Sequence, residues 1–278
     1  MRDGVTVIKC GGSDAIGVAG VCADVAKLRA AGERALLVHG GADEIDRLAA
    51  QLGVQPQTTV SPDGRRSRYT SPPMLDAMLL AMTGRVKPRL LAALKVAGVP
   101  AVGLTGLDAG LITAARKQAR RAVRDGRPVI VRGDHSGRIT AVDPAVLRVL
   151  LDAGFTPVIS PPAGDSRGAP LNVDADRLAA AVAVALGACR LVLLTAAPGV
   201  LRDATDPGSV LPRGELPDEA LLACAASGGM HRKLIAADEA LRGGVGAVHI
   251  ADGRVPEPVL AAVGGAGTVL VRSSRRQA

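Results

Sequence analysis

Residues 5–13 read Val-Thr-Val-Ile-Lys-Cys-Gly-Gly-Ser, and residues 35–43 read Ala-Leu-Leu-Val-His-Gly-Gly-Ala-Asp. Each is a short aliphatic run that ends in a glycine pair. Neither run alternates polar with apolar, which fits strands covered on both faces. Between them, residues 18–31 have helical spacing, and Gly32 stands where a glycine commonly closes a helix. Strand, helix, strand in this order predicts parallel pairing.

The same alternation extends outward. A helix is expected over 43–52, closed by Gly53. Pro72 and Pro73 suit the first turn of a long helix through Ala97, stopped by Gly98, with Pro88 kinking or dividing it. Further strands are expected at 101–105, 156–160, 191–195, 247–251 and 268–271. Helices are expected from Pro144, over 176–186, near 217–226, over 230–241 and after 251. Residues 119–142 break the pattern: Pro128–Arg132, the turn Gly133–Gly137 and Arg138–Val142 predict a β-hairpin meander. The polar stretch 161–169 is read as a loop and as a lobe boundary. The expected fold is α/β: an open, mainly parallel sheet with helices on both faces, two lobes (1–166 and 167–278), and a protruding β-hairpin near 119–142.

Composition narrows the functions available. The 278 residues are 48% hydrophobic and 22% charged, enough for a packed core. One Tyr, one Phe and no Trp argue against proteins that stack nucleic-acid bases or sugars on aromatic rings. No apolar run reaches the roughly 18–20 residues that span a bilayer. The strand-like start at Val5 leaves no room for a signal peptide. Cys10, Cys22, Cys189 and Cys224 have no C-x-x-C spacing and are read as reduced thiols of a cytoplasmic protein. They and the four histidines are too scattered to predict a metal site. The net charge of +8 points to an acidic partner. Between Arg116 and Arg138 there are eight Lys/Arg and two acids, so this stretch holds +6 of the surplus.

Glycines at the carboxyl ends of parallel strands are where open α/β sheets bind ligands. Backbone N–H groups can approach phosphate there, and the next helix N-terminus favours an anion. Lys9 ends the first such strand. No G-x-x-x-x-G-K-[ST] or G-x-G-x-x-G occurs, which disfavours P-loop and dinucleotide-binding readings. Asn172, Asp174 and Asp176 alternate, so they share one side if extended; the alternative is an N-cap with spare carboxylates. Gly228-Gly-Met-His-Arg-Lys233 opens a helix, where Lys233 could equally be a solvated lysine. His39 and His231 are read as structural.

Lys9-x-Gly-Gly-Ser13, His39-Gly-Gly, Arg68-Tyr-Thr70, Leu171-Asn-Val-Asp-Ala-Asp176, Leu194-Thr-x-x-Pro-Gly-Val200 and Gly229-Met-x-x-Lys233 occur in an order that resembles the amino-acid kinase family over residues 3–272. The frame looks like the N-acetylglutamate kinases. Arg68-Tyr-Thr, Val102–Asp108, Arg116-Lys117 and Asp134–Gly137 look more like kinases acting on α-aminoadipate or glutamate held by an amino-group carrier protein. The resemblance implies transfer of the ATP γ-phosphoryl to a side-chain carboxylate, which is already ionised and needs no general base. Lys9 and Lys233 would flank the phosphoryl, with Asp176 orienting both. Gly40, Gly41, Arg68 and Asn172 would bind substrate, and Gly11, Gly12, Thr195 and Gly199 the nucleotide with its Mg²⁺. Arg116, Lys117, Arg120, Arg121 and Arg124 would dock a small acidic carrier. A homodimer is expected, without the extra N-terminal helix of arginine-inhibited hexamers.

Three departures from the family pattern stand out: Ala42 for a third glycine, Ala196 for an acid, and Lys87-Pro88 for an N-K pair. They leave two alternatives to a carrier-linked kinase. One is an N-acetylglutamate kinase acting on the free acceptor. The other is a non-catalytic binding protein on the same fold.

Overall fold

The computed structural model describes residues 4–11, 16–62, 64, 66–116, 119–124, 127–218, 221–222 and 228–273. Its strands are β1 (Val5–Cys10), β2 (Arg34–His39), β3 (Gln57–Val60), β4 (Arg66–Tyr69), β5 (Ala101–Gly106), β6 (Ile112–Arg116), β7 (Ala119–Arg124), β8 (Arg127–Arg132), β9 (Gly137–Val142), β10 (Thr156–Gly164), β11 (Pro170–Leu171), β12 (Arg190–Thr195), β13 (Arg213–Leu216), β14 (Ala247–Asp252) and β15 (Thr268–Arg272). The helices are α1 (Val18–Ala30), α2 (Ala42–Gln51), α3 (Pro72–Ala81), α4 (Lys87–Val96), α5 (Ala145–Asp152), α6 (Ala175–Leu186), α7 (Gly228–Arg242) and α8 (Pro258–Val263).

β1 is buried along its whole length and lies between β2 and β12, parallel to both. Its side chains divide by parity, as a pleated strand requires. Val5 and Val7, with Leu36 and Val38 of β2, join a core covered by α6 and α7. Ile8 and Cys10, with Ala35 and Leu37, join a core covered by α1, α4 and α8. Helices therefore cover both faces, as expected. The main sheet runs β13-β15-β14-β12-β1-β2-β10-β6-β9, with β5 and β11 also paired to β10. Its pairings are parallel except β14/β15, β6/β9 and β10/β11.

Two expectations are corrected. The meander over 128–142 is not one hairpin: β8 pairs antiparallel with β7, whereas β9 pairs with β6 in the main sheet. The protruding unit is a second sheet, β4-β3-β7-β8, antiparallel throughout. Second, residues 161–164 are strand, not loop, because β10 continues to Gly164 and β11 pairs back onto it. The helix expected over 72–97, kinked or divided at Pro88, is interrupted as expected: a π-helical turn spans Met82–Val86, and α4 begins at Lys87 with Pro88 in its first turn. The backbone stays helical through the junction, with Lys87 N–H donating to Met82 O, so the π-helical turn is where the helix accommodates a proline that has no N–H to give.

Candidate active site

The carboxyl ends of β1, β2 and β12 lie side by side, and each delivers a residue singled out by the sequence. Lys9 is the penultimate residue of β1, His39 ends β2 and Thr195 ends β12. Opposite Lys9, α6 begins at Ala175. Its N-cap is Asp174, whose Oδ1 accepts from the N–H groups of Asp176 (2.9 Å) and Arg177 (3.0 Å). That cap fixes Asp176 in the first helical turn, where the helix dipole favours a carboxylate. Asn172, Asp174 and Asp176 therefore do not share one extended side.

Asp176 sits between two ammoniums. Lys9 Nζ is 2.8 Å from Oδ1, and Lys233 Nζ is 2.9 Å from Oδ2 and 3.1 Å from Oδ1. Lys233 comes from the second turn of α7, which packs on α6. The three residues are 5%, 6% and 7% exposed for Lys9, Asp176 and Lys233, so Lys233 is not a solvated helical lysine. Burial works against ionising Asp176, but Lys9 and then Lys233 outweigh it and hold the carboxyl at about 2. Burial also opposes the charge on Lys9, and Asp176 overcomes it, leaving Lys9 above its ordinary value. For Lys233 burial prevails over Asp176, aided by Lys9, and the ammonium falls below its ordinary value. Two cations and one anion leave this buried cluster with a net positive charge, a receptor for anions.

The glycines have separate reasons. A Cβ on Gly11 would lie 2.3 Å from Ile16 Cδ1, so a larger residue there would have to push that terminal methyl aside. Gly41 is the N-cap of α2, and a Cβ on it would lie 3.3 Å from both Met82 and Val86. The π-helical turn therefore presses on the turn after β2. Glu44, one helical turn on and 3% exposed, ties the same elements together. Its carboxylate accepts from Arg85 (2.9 Å), Arg89 (2.8 Å) and Arg47, and these charges hold its pKa below the usual range. Gly199 packs against β15, where a Cβ would meet Thr268 Oγ1 and Val210 at 2.9 Å. Close packing gives that glycine a structural reason of its own.

The remaining expected residues form a second cluster. Asn172 Nδ2 donates to Thr70 Oγ1 (3.0 Å), and Thr70 N–H donates to Asp134 Oδ1 (3.2 Å). Ser136 N–H and Oγ donate to the same oxygen at 3.0 and 2.7 Å. This buried network ties the end of β4 to the segment after β8 and to β11. Arg116 Nε donates to Asp134 O (3.1 Å), anchoring that end of β6. Arg68 Nη1 meets Asp46 Oδ1 at 2.5 Å and Met74 Sδ at 3.6 Å, so its guanidinium is held by α2 and α3. His39 is buried and held neutral, at about 4, by burial and then by the charges of Lys87 and Lys9. Its Nδ1 lies 2.9 Å from Gly40 O, which assigns the proton to Nδ1. Lys87 is buried too and donates from Nζ to Leu104 O (2.5 Å).

The structure thus brings Lys9, Asp176 and Lys233 into contact, and it links Asn172 to Thr70 rather than to that triad. Gly12 and Lys117 lie outside the described residues, as do the side chains of Arg120 and Arg124. Glu44, Asp134 and Lys87 were missed as site supports. Asp134 and Lys87 stand in segments the sequence singles out, but a supporting role shows only in burial despite charge, which is invisible in a single sequence.

A family model described as the amino acid kinase family matches residues 4–252. The chain belongs to the amino acid kinase family. With the family match and relatives named as kinases, it is an amino-acid kinase, a phosphotransferase acting on a carboxylate. It is 40% identical over 264 residues to the [LysW]-aminoadipate kinase of Deinococcus radiodurans, covering 95% of this chain and 90% of that one. It is 38% identical to the acetylglutamate kinase of Myxococcus xanthus, covering 98% and 90%. Among solved structures it resembles the N-acetylglutamate synthase of Neisseria gonorrhoeae complexed with coenzyme A and N-acetyl-glutamate, with a TM-score of 0.79 and 29% identity. The whole chain aligns there but spans 62% of that synthase's length. Among the described residues, no helix is long and apolar enough to cross a membrane.

Proposed function

We propose that this chain uses ATP to phosphorylate the side-chain carboxylate of α-aminoadipate, or of glutamate, while an acidic amino-group carrier protein holds it. The product is an acyl phosphate of the kind a reductase consumes in lysine- or arginine-type biosynthesis. The observation that carries the chemistry is the buried Lys9–Asp176–Lys233 cluster. Phosphoryl transfer to a carboxylate must bring two anions together, and at about 4 Å like charges repel by about 4 kcal/mol at an effective dielectric near 20. Two ammoniums held ready at the sheet edge offset that repulsion as charge develops on the transferring group. Asp176 sets their spacing without cancelling both charges.

The other roles follow the family resemblance. Gly11 and Gly12 would offer N–H groups to phosphate, and Gly40 and Gly41 would line the acceptor side. Asn172 would hydrogen-bond the acceptor, and Arg68 would leave Asp46 to grip its α-carboxylate. Thr195 and Gly199 would lie along the nucleotide. The cationic cluster fits a nucleotide triphosphate. Mg²⁺ would be held by its phosphates and water, since among the described residues no three His, Cys, Asp or Glu side chains gather as a metal site. Residues 1–166 would form the acceptor and dimerisation lobe and 167–278 the nucleotide lobe of a cytoplasmic homodimer. Basic residues of the stretch 116–132, Arg121 among them, would meet the carrier, with no role for nucleic acid or membrane.

The carrier assignment draws support from the basic four-stranded sheet. A free small acceptor needs no such surface. A second reading, N-acetylglutamate kinase, draws support from the Myxococcus relative, whose identity is almost as high. An ATP-dependent hydroxamate assay separates the two. Trapping is expected with carrier-bound aminoadipate or glutamate and not with free N-acetylglutamate. Trapping with free N-acetylglutamate alone would make the second reading correct. Tight carrier binding without trapping of any acceptor would favour a non-catalytic protein.

A further inference from the structure

The register of the small sheet assigns its arginines to faces. Across antiparallel strands, paired residues point the same way, and residues two apart along a strand share a face. Arg68 pairs with Thr58, and Arg66 with Val60. Val60 pairs with Val123, and Val123 with Pro128. Arg121 pairs with Ile130, and Ala119 with Arg132. One face of the sheet therefore carries Arg68, Arg66, Arg121, Ile130 and Arg132. Arg66, Arg121 and Arg132 are exposed, and Ile130 is 64% exposed. At the opposite parity Ala122 is buried and Ser67, Tyr69, Val129 and Val131 are half-buried, while Gln57 and Arg127 are exposed. β4 has two arginines, β7 three and β8 two, and no acid occurs in any of the four strands.

We infer that this face, with Arg121 and Arg132 around Ile130, is where an acidic protein docks when it presents a tethered carboxylate acceptor to Arg68. The inference rests on the carrier-linked reading above and narrows it. Arg120 and Arg124 stand at the intervening register positions, opposite Val131 and Arg127, and fall outside the docking face. A surface of one charge sign around an apolar residue matches what acidic partners require: long-range steering from the charges and a desolvated contact at the centre. Because Arg68 ends the same face, a partner lying along it is carried toward the acceptor site. Duplex nucleic acid would answer to the charge but not to Ile130.

The test compares two double variants of the full chain, Arg121→Glu/Arg132→Glu and Arg120→Glu/Arg124→Glu, with ATP binding as the check on folding. The probe is Deinococcus LysW carrying aminoadipate, titrated by calorimetry at low and at high salt, with a short DNA duplex in parallel. The first variant should weaken LysW binding at least about tenfold at low salt, and the second by less than about twofold. Ile130→Ser should weaken binding with little change in its salt dependence. Equal loss in both double variants, or greater loss in the second, would overturn the face while leaving the carrier reading intact. Wild-type protein that ignores LysW and phosphorylates free N-acetylglutamate would overturn the carrier reading itself. Tighter binding to the duplex than to LysW would overturn the choice of partner.

Discussion

Replacing Asp176 by Asn keeps the shape of the side chain and removes the only anion between Lys9 and Lys233. The wild-type carboxyl titrates at about 2 against an ordinary 3.8. A shift of that size corresponds to about 2–3 kcal/mol of native-state preference for the ionised form. A carboxyl lowered on folding stabilises the protein above its unfolded pKa. That contribution fades as pH falls from about 4 to about 2. The Asn variant also leaves two ammoniums buried without an anion, and breaking a buried pair costs about 3–5 kcal/mol. Denaturant unfolding at pH 7 should therefore show Asp176→Asn less stable by about 3–5 kcal/mol. The gap should narrow as pH rises toward 10, where a buried lysine can shed its proton. Hydroxamate turnover should fall by at least about a hundredfold. Equal stability at pH 7, or turnover within twofold of wild type, would refute the argument that the carboxylate sets the spacing and charge of the two lysines.

Other consequences are open to separate assays. Gly199→Ala should cost about 2 kcal/mol of unfolding free energy, because its Cβ would meet Thr268, Val210 and the Gly267 backbone. Gly41→Ala meets only flexible side chains at 3.3 Å, so it should cost less in stability and act mainly by raising the KM for the acceptor. Glu44→Gln weakens the charged hydrogen bonds to Arg85 and Arg89, and chemical denaturation should show a loss of about 2 kcal/mol. For His39, NMR should show an imidazole neutral down to about pH 4. Its pKa is lowered on folding, so the unfolded chain takes up the proton first and stability should decline as pH falls from about 6.5 to about 4.

Much of this was readable from residues alone where local signals agree. The strand–glycine–helix units at Lys9 and His39 announce themselves, since apolar runs, closing glycines and helical spacing all point one way. Lys9, Asp176 and Lys233 are legible only through their motifs, because nothing local brings residues 9, 176 and 233 together. The strands at 57–60, 66–69, 112–116 and 213–216 were not anticipated: they are short, polar or charged, and held by distant partners. The turn-like Gly133–Gly137 misleads because it joins strands of different sheets, each paired to an earlier strand. Pro161 and Pro162 mislead because prolines normally end a ladder. Here the pairing with β5 ends at Ser160 and that with β11 begins at Ala163, so neither proline has to donate. The arginines of 119–132 read as one basic patch, and only the register separates them into two faces.

Phosphorus NMR of the full chain with Mg-ATP and aminoadipate-loaded LysW tests the central claim most directly. The account predicts an acyl-phosphate resonance with wild-type protein that is lost in both Lys9→Ala and Lys233→Ala, each still folded. The same resonance at near-wild-type intensity in both variants would contradict it.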